Sequence, residues 1–172
     1  MLTSDPKVQS TLVLALGNPL MGDDGFGLAV LARLRRNNEL QGPLVMMDGG
    51  TWGITLLPAI EAASRLILID AINVGAAPGS LVRLEREELP RYFSHKLSPH
   101  QVDLREVLAL AELRGSLPPE IVAIGAQPES VTFRLSLSPL LEAAVPSVTD
   151  AVLRQLSAWG HVPMLAEAIA DA

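Results

Sequence analysis

The sequence predicts an α/β fold, a three-layer αβα arrangement in which a central, mostly parallel twisted sheet is flanked by helices. Three observations carry this expectation. Short aliphatic runs recur without polar alternation, at Thr11 to Leu16 (TLVLAL), Arg65 to Ile69 (RLILI) and Ile121 to Ala126 (IVAIGA), as expected of strands covered on both faces. Stretches of helical period lie between them. Glycines and acidic residues follow the runs directly, at the carboxyl ends of the strands, where an open α/β sheet binds its ligands.

Each element has a local reason. After TLVLAL and the loop GNPLMGDDG, residues 17 to 25, a helix is expected over Phe26 to Arg36, with Leu28, Leu31 and Leu34 apolar and cations at its C-terminal end. Leu44 to Met47 reads as a second strand that runs into a loop, Asp48-Gly49-Gly50-Thr51, with Trp52 placed to cover the edge. Ile54 to Ala63 reads as a helix in which Pro58 stands against the pattern. RLILI is the clearest strand and ends on Asp70; Asn73 to Gly79 is a loop and Ser80 to Leu84 a further strand. Pro90 to Leu97 reads as irregular. Ser98-Pro99-His100-Gln101 has the form of a helix start, serine as cap, proline in the first position and glutamine three after the serine. That helix is expected to end near Arg114 at Gly115. Pro139 to Trp159 is the last helix, with Pro146 expected to bend or interrupt it.

Composition bounds the function. The chain has 172 residues, 13 Lys+Arg against 19 Asp+Glu, and 49% hydrophobic residues, which fits one domain over 1–172 with peripheral tails at 1–10 and 160–172. A charged fraction of 19% excludes intrinsic disorder. The mean hydropathy is +0.33, yet no apolar run exceeds five residues, so no membrane span is expected. A net charge of −6 with 3% aromatics excludes a nucleic-acid partner. There is no cysteine, so disulfides, thiol nucleophiles, iron-sulfur clusters and all-thiolate zinc sites are excluded, and any metal is held by oxygen and imidazole. The polar N-terminus, Met1 to Ser10, lacks the pattern of a secretory signal, and a cytoplasmic location is expected.

The first loop has the glycine spacing of a phosphate-binding loop, but Asp23-Asp24 replaces the Lys-Ser/Thr pair, and two carboxylates repel a polyphosphate. The dinucleotide fingerprint fails because position 30 is Val30. With its charge inverted the loop suits a cation; a competing role for Asp23 or Asp24 is to cap the helix that begins near Phe26. Asp70 ends the most hydrophobic strand, where a buried charge needs a metal or a partner, the alternative being the amides of the Ala71-Ile72-Asn73 turn. His100 falls in the first turn of a helix, whose positive end keeps imidazole neutral, the form that binds metal. His95 and His161 have no comparable context. Asp24, Asp70 and His100 give two carboxylates and one imidazole, which suits nickel, zinc, iron or manganese with open positions. Neither a G-x-S-x-G elbow nor an H-E-x-x-H helix is present.

GNPLMGDDGFG at residues 17 to 27, DGGTWG at 48 to 53, LILIDAI at 66 to 72, KLSPHQ at 96 to 101 and IVAIGAQPESV at 121 to 131 occur in this order. With these motifs the chain resembles the nickel-iron hydrogenase maturation endopeptidases from about Thr11 to Trp159. The resemblance implies a parallel-type sheet sandwiched by helices. It also implies an enzyme that clips a C-terminal extension from the precursor of the hydrogenase large subunit once nickel is inserted. The family's metal contacts, carried over, fall on Asp24, Asp70 and His100; some members have glutamate where this chain has Asp24, one methylene shorter. The nickel is then supplied by the precursor and held by its cysteines; separately, the large apolar fraction fits a monomer whose sheet is covered on both faces. A different class of function, a non-enzymatic metal-dependent binding module or chaperone docking through the Trp52 loop, uses the same residues without cleavage. An α/β hydrolase with an activated water is a third reading, which turnover of small peptides separates from the others.

Overall fold

The computed structural model describes residues 10–37, 40, 42–50, 53–94 and 99–161, with residues 37, 94 and 99–103 described by their backbone. Along the chain these form β1 (Thr11–Leu16), α1 (Phe26–Asn37), β2 (Leu44–Gly50), α2 (Leu57–Ala62), β3 (Arg65–Ala71), β4 (Leu81–Glu85), α3 (Leu89–Ser94), α4 (Pro99–Leu113), β5 (Glu120–Ala126) and α5 (Pro139–Ala158). Short 3-10 turns occupy Gly22–Gly25, Gly53–Leu56 and Arg86–Glu88.

The strands make one sheet in the order β2-β1-β3-β5-β4. The pairs β1 with β2, β1 with β3 and β3 with β5 are parallel, and β4 adds to the β5 edge in the antiparallel sense. Side chains of successive strand residues point to opposite faces, and both faces are covered. Leu12, Leu14, Leu16, Leu66, Leu68 and Ala123 pack on one side with Ile60 of α2, Tyr92 of α3 and Leu104, Val107 and Leu108 of α4. Val13, Ala15, Ile67, Ile69, Val122 and Ile124 pack on the other with Val30 and Leu34 of α1 and Leu141, Val148 and Val152 of α5. This is the three-layer αβα arrangement, and the double burial explains why β1, β3 and β5 lack polar alternation. No helix among the described residues is long and apolar enough to cross a membrane.

Four local expectations are corrected. Asp48-Gly49-Gly50 is not a loop: these residues continue β2, Asp48 opposite Ala15 and Gly50 opposite Leu16 across a bulge, because β1 continues to offer pairing partners. Thr51 and Trp52 lie outside the described residues. Pro58 does not sit mid-helix; the 3-10 turn precedes it and places it in the first turn of α2, where its missing N–H costs nothing. The stretch read as irregular contains α3, which follows a 3-10 turn with a capping box between Glu85 and Glu88. Finally, α5 continues through Pro146, its buried stripe Leu141, Ala144, Val148, Val152 and Leu156 holding both halves against the sheet. His161, in the segment expected to be a tail, is 4% exposed, with its Nε2 2.8 Å from Thr11 Oγ1.

Candidate functional site

The carboxyl ends of β1 and β3 meet the first turn of α1 at Gly27. A Cβ there would lie 2.4 Å from the Leu16 carbonyl oxygen and 2.3 Å from that of Ile69, so only glycine lets the helix start directly on the two strand ends. Gly17 turns the chain with φ of 126°, and a Cβ on it would lie 1.8 Å from the Asp24 carbonyl oxygen. The GNPLMGDDGFG segment is therefore a tight fold-back that brings Gly22–Gly25 over the sheet edge, where this turn packs against β3.

Asp23 and Asp24, adjacent in sequence and each 1% exposed, have different partners. Asp23 Oδ2 accepts hydrogen bonds from the N–H of Glu129 at 2.9 Å and Ser130 at 3.2 Å and from the Ser138 hydroxyl at 3.0 Å. Its Oδ1 accepts from Ser138 N–H at 2.6 Å. Ser138 Oγ in turn accepts from Leu141 N–H and caps α5. Asp23 thus has a structural role, though not the expected one: it does not cap α1 but ties the first loop to the segment between β5 and α5. The Asp24 carboxylate accepts through Oδ2 from Asn18 N–H in its own loop at 3.0 Å.

Asp70, penultimate in β3, is 0% exposed. Its Oδ1 accepts from the N–H of Ala71 at 2.8 Å, and its Oδ2 accepts from the Tyr92 hydroxyl at 2.6 Å. One amide of the expected turn takes part, but the second partner is a buried phenol from α3. Tyr92, 1% exposed and edge-on to Phe93 with centroids 4.7 Å apart, is the residue that sequence reasoning missed. A signal for it was present: the Glu85 to Glu88 capping box followed by apolar Leu89, Tyr92 and Phe93 at helical spacing. Asp70 shares the side-chain parity of Leu66 and Leu68 and so faces the layer of α3 and α4.

His100 is the second residue of α4. α4 leads directly into β5 and packs against α2 and the 3-10 turn Gly53–Leu56 that follows β2, so it runs antiparallel to β5 with its N-terminus toward the carboxyl edge, on the face that carries Asp70. The His100 side chain lies outside the described residues, as does His95. Among the described residues no cluster of three His, Cys, Asp or Glu side chains forms a metal site. Two of the sequence-predicted donors, Asp24 and Asp70, are thus buried at the carboxyl edge, and the backbone of the third starts a helix there. Two buried carboxylates at one edge are costly without compensating positive charge or hydrogen bonds, and oxygen donors with imidazole suit a divalent cation chemically.

The rim around them is cross-tied. Gln127, 6% exposed, accepts through Oε1 from the N–H groups of Val74 at 2.9 Å and Ala76 at 3.1 Å and donates through Nε2 to Asn73 Oδ1 at 2.9 Å. The loops after β1 and β3 are each fastened to the segment after β5, which gives the edge a fixed shape.

Comparison with known proteins places the fold in a family. A family model described as hydrogenase maturation protease matches residues 28–155. The hydrogenase expression/formation protein HoxM of Cupriavidus necator is 36% identical over 155 residues, 89% of this chain and 77% of that protein. The hydrogenase maturating endopeptidase HybD from Escherichia coli superposes with a TM-score of 0.84 at 34% identity, over 90% of this chain and 98% of that one. The [NiFe] hydrogenase maturation protease HybD from Thermococcus kodakarensis gives a TM-score of 0.70 at 27% identity, over 85% and 98%. With a matched segment that covers most of the sheet and its helices, and a fold shared almost end to end with a solved endopeptidase, this chain belongs to the hydrogenase maturation protease family, a family of peptidases.

Proposed function

We propose that this chain is a cytoplasmic, monomeric endopeptidase that removes the C-terminal extension of the nickel-iron hydrogenase large-subunit precursor after nickel insertion. Asp24, Asp70 and His100 contact the metal that the precursor carries. The observation that supports this most is the pair of buried carboxylates, Asp24 at 1% exposure in the turn after β1 and Asp70 at 0% near the end of the neighbouring β3, in a chain of the maturation protease family.

Nickel here is cargo of the substrate. The chain contains no cysteine, so its donors are oxygen and nitrogen and do not compete with thiolates of the precursor for a thiophilic ion. Contact without extraction fits inspection: the carboxylates engage the loaded metal, and that engagement positions the scissile peptide. Tyr92 and Ala71 N–H fix the orientation of the Asp70 carboxylate, as hydrogen-bond partners of ligating carboxylates do. A three-donor site with open positions binds free metal modestly, so the purified enzyme is expected to contain substoichiometric metal. Tight stoichiometric zinc in protein purified without added metal contradicts this and points to an ordinary metallopeptidase.

Incubation of purified precursor with the enzyme, read by intact mass, tests the proposal. The wild-type chain is expected to shorten the precursor at its C-terminus, and Asp24→Ala, Asp70→Ala and His100→Ala to prevent or strongly slow this. Normal cleavage by all three variants rules out the assigned residues. Binding without cleavage by the wild type supports the binding-module or chaperone reading instead.

A further inference from the structure

Beside Asp24 the surface changes character. Leu20 is 51% exposed, Phe133 77% and Leu135 76%. These come from segments far apart in sequence that the fold zips together: Gly22 N–H donates to the Arg134 carbonyl at 2.8 Å, and Arg134 N–H donates to the Leu20 carbonyl at 3.0 Å. Met21 and Arg134 form an isolated parallel bridge. The bridge lays Leu20 alongside the Phe133–Leu135 segment, and with all three side chains exposed they give the surface there an apolar ridge. The guanidinium of Arg134 donates to the carbonyls of Ser136 at 3.1 Å and Leu137 at 2.8 Å, which fixes it along its own segment.

The ridge is held firmly. Its backbone is pinned on both flanks by Asp23, through Glu129 and Ser130 on one side and Ser138 on the other. Large apolar side chains fixed by a buried carboxylate and left in water mark an interaction site, and preorganisation lowers the ordering cost of binding. Its position identifies the occupant. Leu20 precedes Asp24 by four residues in the same folded loop, so the ridge lies within the reach of a few extended residues, about 3.3 Å each, of a polypeptide whose metal meets Asp24.

We infer that Leu20, Phe133 and Leu135 form the docking ridge for the hydrogenase precursor, taking an apolar stretch of its polypeptide close to the scissile bond. The inference rests on the protease reading above, and binding and cleavage measured together separate the two.

The experiment compares the wild type with the Phe133→Ser/Leu135→Ser double variant and the conservative Phe133→Leu/Leu135→Met double variant, using full-length precursor. Because these side chains are exposed, thermal melting is expected to stay at the wild-type value. The serine variant is expected to raise Kd and KM for the precursor by about tenfold or more, with kcat at saturating precursor kept within about twofold. The conservative variant is expected to retain wild-type values. Unchanged Kd and KM in the serine variant overturn the ridge while leaving the protease reading intact. Loss of a wild-type dimer in the serine variant, with KM unchanged, makes the ridge a contact between copies and likewise overturns it. A wild type that binds precursor through the ridge but never cleaves it contradicts the protease reading and supports the ridge.

Discussion

Asp23 and Asp24 are the same residue type, one peptide bond apart and equally buried, yet they belong to two different regions of the molecule. Asp23 belongs to a clamp: its carboxylate collects hydrogen bonds from Glu129, Ser130 and Ser138, more than 100 residues away. Asp24 belongs to the rim that it shares with Asp70, where the carboxylates are held by short-range donors such as Asn18 N–H and Ala71 N–H and by the Tyr92 hydroxyl. Asp23 locks the first loop to the segment after β5, whereas Asp24 and Asp70 each take a donor from their own neighbourhood at the carboxyl edge, where the proposed chemistry lies. Burial alone does not separate these roles, and the identity of the hydrogen-bond partners does.

Substitutions at the two regions are expected to divide accordingly. The largest effect is on activity: Asp70→Asn and Asp24→Asn are expected to lower cleavage of the precursor by about 100-fold or more, with the urea midpoint nearly kept, measured by single-turnover cleavage beside equilibrium unfolding. Next comes stability at the clamp. Asp23→Asn replaces an acceptor facing N–H donors by an amide that presents its own N–H groups, and is expected to cost about 2–4 kcal/mol in urea unfolding. Cleavage by the fraction that remains folded is expected to stay within a few-fold of the wild type, and a loss as severe as that of Asp70→Asn dissolves the distinction. Tyr92→Phe removes the donor to Asp70 Oδ2 and keeps the ring in the core; about a tenfold fall in kcat/KM with about 1 kcal/mol of stability is expected. The smallest effect is at the opposite, amino edge. Thr11→Val breaks the contact with His161 and is expected to cost about 1 kcal/mol with no change in cleavage rate.

The same contrast explains what was legible in the sequence. β1, β3 and β5 were readable because both of their faces are buried, which writes an unbroken aliphatic run into the chain. Asp70 was readable for the related reason that a charge ending such a run needs compensation. The antiparallel sense of β4 was not, because Leu81 to Glu85 alternates in the same way whichever direction its partner runs. The Asp23 clamp was invisible, since nothing in GDDG indicates that one carboxylate reaches Ser138. Tyr92 lay in a segment whose prolines suggested irregular structure, although its capping box and apolar spacing marked the helix. The Asp48-Gly49-Gly50 segment misled in the other direction, its glycines suggesting a turn where β1 holds them in the sheet.

The central claim is that Asp24, Asp70 and His100 together read a metal carried by the substrate. It is tested most directly by presenting the wild-type enzyme with nickel-loaded and nickel-free precursor under otherwise identical conditions and following the C-terminal cut by intact mass. Cleavage of the loaded form, with the nickel-free form left essentially intact, is the expected result. Equal cleavage of both forms contradicts it.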